Sequence, residues 1–155
     1  MAVDYFLEID GIEGESAAAK HKGDIDLIGF SFGASMGKQS GVVPGIAFLD
    51  ELYVLAPTSK ASPLLWLACA SGRHFPTAVL TCCRKTQKGH VDFFRVTLAD
   101  VTITSYETSA DDGEPPVDQL SLRYFRIEVA YQPADASKAP ATASWHVNKI
   151  PDLKA

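Results

Sequence analysis

The chain opens with the two-residue rhythm of a strand: Val3, Tyr5, Leu7 and Ile9 interleave with Asp4, Phe6 and Glu8 until Asp10-Gly11 ends the run. The next such stretch, residues 24–35, reads Asp-Ile-Asp-Leu-Ile-Gly-Phe-Ser-Phe-Gly-Ala-Ser and predicts one long strand with unlike faces. Ile28, Phe30 and Phe32 alternate onto one face, and Gly29, Ser31, Gly33 and Ser35 onto the other. A half-buried strand ordinarily sets long polar side chains opposite its apolar ones. A smooth glycine and serine face points instead to a surface that something else passes close to. Residues 13–23, between the two strands, form a polar connection too long for a tight hairpin.

Residues 46–55 are a third apolar run, broken by Asp50-Glu51 and closed by Ala56-Pro57. One helix is then signalled by Ser62-Pro-Leu-Leu-Trp-Leu-Ala-Cys-Ala-Ser-Gly72, with serine at the cap, proline in the first turn and glycine at the stop. Almost no polar side chain follows Pro63, so this helix should be buried nearly all round, against its own domain or a neighbouring subunit. Further strands are predicted over 77–85, 91–98, 101–108 and 119–132. Thr86-Gln-Lys-Gly89 makes a hairpin turn, and Leu98-Ala-Asp-Val101 interrupts what reads as one bent ribbon. The pattern over 119–132 mixes the two faces, so both should be covered. An acidic loop fills 110–116, an alanine, proline and serine linker fills 133–143, and residues 144–148 form a last short strand. Strands at this spacing with one helix and no βαβ rhythm predict a mainly β fold, an antiparallel barrel or sandwich with a flanking helix.

Composition narrows the function. Apolar residues at 46%, charged residues at 21% and a net charge of −5 describe a folded soluble domain without a nucleic-acid footprint. No run approaches the roughly 20 apolar residues that cross a bilayer, and Met1-Ala-Val-Asp4 opens no signal peptide, so the chain is expected to fold first in the cytoplasm. Cys69, Cys82 and Cys83 make neither a disulfide framework nor a metal site, and no cofactor motif is present. They read as small buried hydrophobes.

Gly29-Phe-Ser31-Phe-Gly33 matches the G-x-S-x-G nucleophile elbow, which would make Ser31 the nucleophile of a small hydrolase working with His21, His74, His90 or His146. That elbow needs a helix after the serine, and the sequence supplies the loop residues Gly37-Lys-Gln-Ser-Gly41 and Pro44-Gly45. A monomeric binding module is the other alternative to a structural protein.

Several blocks in order resemble the haemolysin-coregulated protein (Hcp) family. They are Met1-Ala-Val-Asp-Tyr-Phe-Leu-Glu-Ile-Asp-Gly-Ile-Glu-Gly-Glu-Ser16, the stretch from His21-Lys-Gly-Asp24 to Ser35, and Ser62-Pro-Leu-Leu with Ala68-Cys-Ala-Ser-Gly72-Arg-His-Phe-Pro76. Val101-Thr-Ile-Thr-Ser-Tyr106 and Ile127-Glu-Val-Ala-Tyr-Gln-Pro133 continue the likeness over nearly the full chain. Phe30 and Phe32 stand where the family often has tryptophan, and Cys82-Cys83 is not a family feature.

The resemblance implies a single β-barrel domain over 1–155 that assembles as a homo-hexameric ring, the inner-tube subunit of the type VI secretion system, and no enzyme. Rings stack into a tube, a contractile sheath expels it behind a VgrG-type spike protein, and the pore holds and shields small effector proteins. Such a protein is cytoplasmic before firing and extracellular afterwards, without a signal peptide, membrane insertion or nucleic-acid partner. On this reading Gly29, Ser31, Gly33 and Ser35 line the pore, with Ser31 nearest the cargo. Lys38, Gln39, Ser40, Val42 and Val43 belong to the ring-stacking loop, whose Val42-Val43-Pro44 is more apolar than solvent requires. The chain ends soon after Val147, leaving no room for the toxin domain fused to longer members.

Overall fold

In the computed structural model, which describes residues 2–36 and 47–146, the chain is mainly antiparallel strand with one helix. In order it forms β1 (Val3–Ile9), β2 (Ile25–Leu27), β3 (Gly29–Ser31), β4 (Ala34–Met36), β5 (Ala47–Leu49) and β6 (Leu52–Pro57). Helix α1 (Ser62–Ser71) follows, then β7 (His74–Thr86), β8 (Gly89–Ser109), β9 (Val117–Arg123), β10 (Arg126–Tyr131) and β11 (Ala141–His146). Among the described residues the main sheet has nine strands and runs β2-β1-β7-β8-β9-β6-β3, with β10 on the first half of β8 and β11 outside it. β4 and β5 pair separately.

The two ends of this ladder, β2 and β3, are consecutive in the chain, so the sheet must curl until they meet. They are joined through Ile28, whose N–H donates to the Leu55 carbonyl at 2.7 Å. No ladder pairs β2 with β6, however, so the expected barrel is an open, curled sheet and not a closed one.

This crossing explains why residues 24–35 are not one strand. Ile25 and Leu27 are buried in the core on β2; past the bend at Ile28 it is Phe30 and Phe32 that pack inward. The phase slips by one residue, which turns Ile28 outward, half exposed, instead of placing it with the phenylalanines.

Inside the curl, Leu7, Leu52, Leu80, Val96, Leu98, Ile103, Leu120 and Leu122 are fully enclosed, each side chain contributing roughly 1.5–3 kcal/mol by leaving water. Around Phe30, a set of rings closes one end: Tyr5 meets it edge-on at 5.6 Å, and Phe32 and Phe94 stack near it at 6.3 and 6.4 Å. β8 is one 21-residue strand, as the bent ribbon suggested. It changes partner from β10 to β9 at Asp100, whose φ of 54° makes the bend, while the Phe125 N–H donates to the Ala99 carbonyl. The mixed pattern over 119–132 likewise resolves into two strands, β9 and β10, separated at Tyr124-Phe125.

Helix α1 lies against β8 and stops at Gly72, which takes the left-handed conformation and donates to the Cys69 carbonyl, as the sequence predicts. One expectation about it is corrected: Ala61, not Ser62, is the cap, and Ser62 is the first helical residue. Within the single chain Ser62, Leu65 and Ala68 face in, while Leu64, Trp66 and Leu67 are exposed, Trp66 at 60%, so the chain's own core covers only one side of the helix.

Candidate functional site

The smooth face anticipated on one strand extends across four. Ser31 sits opposite Tyr53, Tyr53 opposite Ser121 and Ser121 opposite Ser105, so these residues form a row running perpendicular to β3, β6, β9 and β8. Two residues along, and therefore on the same face, Gly29, Leu55, Gln119 and Glu107 form a second row. The row between them, Phe30, Val54, Leu120 and Tyr106, points the other way and packs on the core. Alternation thus delivers an apolar underside and an outward wall of hydroxyls, glycine, amide and one carboxylate, with Leu55 among them. Together the two outward rows line a groove of about 500 Å3.

Ser31 is exposed at the edge of the groove, beside the half-exposed ring of Tyr53. Ser121, only 6% exposed, lies in its floor and accepts a hydrogen bond from the Ser105 hydroxyl at 2.7 Å. Beside them the Thr104 hydroxyl contacts the Ser121 carbonyl and the Glu51 carboxylate. A Cβ at Gly29 would meet nothing within 4 Å, so the glycine marks open space and not a tight approach.

Of the four residues expected on this wall, Gly29 and Ser31 are there; Gly33 and Ser35 are not part of it. The chain turns after Ser31, and at Gly33 an added Cβ would meet the Asp50 carboxylate at 2.9 Å. Ser35 is exposed on the separate β4–β5 pair, opposite Phe48. Lys38, Gln39, Ser40, Val42 and Val43 lie outside the described residues. Tyr53, Ser105, Glu107, Gln119 and Ser121 are wall residues that sequence reading missed. Gln119 and Ser121 alternate with Leu120 and Leu122 and could have been read as outward-facing, but which strands stand beside Ser31 is a matter of register that no local pattern carries.

Among the described residues no histidine lines the groove with Ser31. His21 lies on the other side of β1, stacked on the Phe6 ring at 4.4 Å, with Nδ1 2.9 Å from Asp24 and Nε2 2.8 Å from Asp92. Burial acts to lower its pKa, but hydrogen bonds and charge from Asp92 and Asp24 outweigh it and hold the imidazole above its ordinary value. Cys82 and Cys83 are both buried, across a bulge in the β7–β8 register, and burial pushes the Cys82 thiol up to about 11. Such a thiol stays protonated and unreactive. Among the described residues no cluster of histidine, cysteine and carboxylate could hold a metal ion, and no helix is long and apolar enough to cross a membrane.

The fold is a curled antiparallel sheet with a polar wall on one face, and the helix carries exposed apolar side chains. The comparisons with known proteins give it a family. Residues 6–131 match the family model described as "Type VI secretion system effector, Hcp". Protein hcp1 of Pseudomonas aeruginosa is 31% identical over 158 residues, covering 96% of this chain and 98% of that protein. The crystal structure of Hcp1 from Salmonella typhimurium superposes with a TM-score of 0.80 at 26% identity, over 95% of this chain and 96% of that one. A structure described as a type six secretion system protein gives 0.84 at 27%, over 94% and 96%. The chain belongs to the Hcp family of type VI secretion system proteins. The family is structural and not enzymatic, its members form ring-like oligomers, and they are secreted.

Proposed function

We propose that this chain is the subunit of a six-membered ring that stacks into the inner tube of a type VI secretion system, with the Ser31 wall facing the pore and holding cargo. The observation that carries the reading is the double row from Gly29 and Ser31 to Glu107 and Ser105. A pore that passes folded or partly folded proteins needs a wall able to exchange hydrogen bonds, and this face carries hydroxyl, amide and carboxylate groups, with glycine and serine between them, over four strands. A subunit in a closed ring also needs apolar surface outside its own core. Leu64, Trp66 and Leu67 on α1 supply it.

In this role the protein acts by geometry. It is made inside the cell, captures a small effector in the ring, and is expelled by a contractile sheath behind a VgrG-type spike. Residues 36–46 are assigned to stacking on sequence grounds, through Val42-Val43-Pro44. Removing residues 41–45 should then spare single rings and shorten tubes in electron micrographs; loss of the rings themselves would contradict the assignment. Ser31→Gln should leave rings intact while reducing the effector that co-purifies with them. Full retention by intact S31Q rings would show that the wall does not hold cargo.

A further inference from the structure

We propose that the groove selects cargo segments bearing a basic side chain, with Glu107 as the acidic contact and the Tyr53 ring as the platform. The inference rests on the reading of this wall as the cargo face and adds the chemistry it recognises. Of the side chains that line the groove, Glu107 alone carries a charge, and among the described residues it makes no ion pair. It is exposed, so its carboxylate is available without breaking an existing contact. Tyr53 stands two strands away and is 51% exposed. Neighbouring strands are about 4.8 Å apart and Tyr53 is offset from Glu107 by two residues along the strand, so the two positions are separated by about 12 Å diagonally across the sheet. An arginine lying across the floor over Ser121 and Gln119 can rest its aliphatic stem against the ring and reach Glu107 with its guanidinium nitrogens.

The hydroxyls add the second half of the recognition. Ser105 and Ser121 are joined by one hydrogen bond, so between them they use one proton and keep another. That proton can be donated to a main-chain carbonyl of the cargo, while the Gln119 amide offers both a donor and an acceptor. The ligand class is therefore an extended peptide segment carrying arginine, or lysine more weakly, and not an acidic or purely apolar one.

The test uses the assembled protein and a dansyl-labelled, end-blocked hexapeptide containing one arginine, with a twin in which citrulline replaces it. Citrulline keeps the shape and removes the charge. Fluorescence anisotropy at low salt should show the arginine peptide binding up to about tenfold tighter, the equivalent of about 1.4 kcal/mol. The preference should vanish in Glu107→Gln and persist in Glu114→Gln, which removes the same charge from the acidic loop. If arginine is preferred but Glu107→Gln keeps the preference, the cation is held elsewhere and the inference fails. If both peptides bind wild type equally and Ser31→Gln weakens both, the wall still holds cargo and only the basic preference is wrong. If neither Ser31→Gln nor Glu107→Gln changes binding of either peptide, the cargo-face reading falls with it.

Discussion

The Nε2 of His21 lies 2.8 Å from Oδ1 of Asp92, a contact between residues 71 positions apart that fastens the β1–β2 connection to the β7–β8 hairpin. Asp24 holds the other ring nitrogen, and Arg95 lies 3.5 Å from the second oxygen of Asp92. Because the folded protein holds the imidazole pKa above its unfolded value of about 6.5, the charged ring stabilises the fold fully below that pH. The contribution is lost as pH rises through the raised folded value. The melting temperature should therefore fall from pH 6 toward pH 8 and beyond by more in wild type than in His21→Gln. Parallel pH profiles for the two proteins would show that His21 does not carry the dependence.

Asp118 is 1% exposed and accepts from the hydroxyls of Thr58, Ser62 and Thr108, which pins the first turn of α1 to β9. Asp118→Ala would leave three hydroxyls without their shared acceptor and should cost about 3 kcal/mol in a urea titration. Asp118→Asn keeps an acceptor oxygen and should cost less. Equal losses in the two variants would mean that volume, not hydrogen bonding, sets the penalty.

Trp66 and Leu67 are each more than half exposed in their own subunit. Replacing either by glutamate should leave the monomer's circular dichroism and melting temperature nearly unchanged, since exposed positions away from caps and cores usually shift stability by within about 0.5 kcal/mol. The same substitutions should shift the ring toward smaller species on a sizing column. An unchanged ring in the double variant would remove the helix from the interface.

The Cys82 thiol, held near 11 by burial, should resist iodoacetamide at pH 8 in the native protein and react once urea unfolds it. Labelling of Cys82 at the rate of a free thiol in native buffer would mean that β7 opens easily.

How much of this was legible depended on distance along the chain. The boundaries of β1 and the stop of α1 rest on local signals, Asp10-Gly11 for one and Gly72 for the other, and they stand as read. The slip at Ile28 was not legible, because it arises where the chain leaves β1 for β6 at the far end of the sheet. Ser62 looked like a cap because its acceptor, Asp118, is 56 residues away and on another element. The apolar composition of α1 called for burial but could not say by whom; in the single chain only one side of the helix is covered. The wall was half visible, as Gly29 and Ser31. Its remainder needed the register that places Tyr53, Ser121 and Ser105 in line with them.

The central claim is that this chain works as a ring, and its native mass tests that most directly. Light scattering on the peak of a sizing column, with negatively stained images of the same fraction, should give a six-subunit particle with an open centre, six times the 16.7 kDa of the chain. A monomer at micromolar concentration, with no ring in the images, would contradict the account.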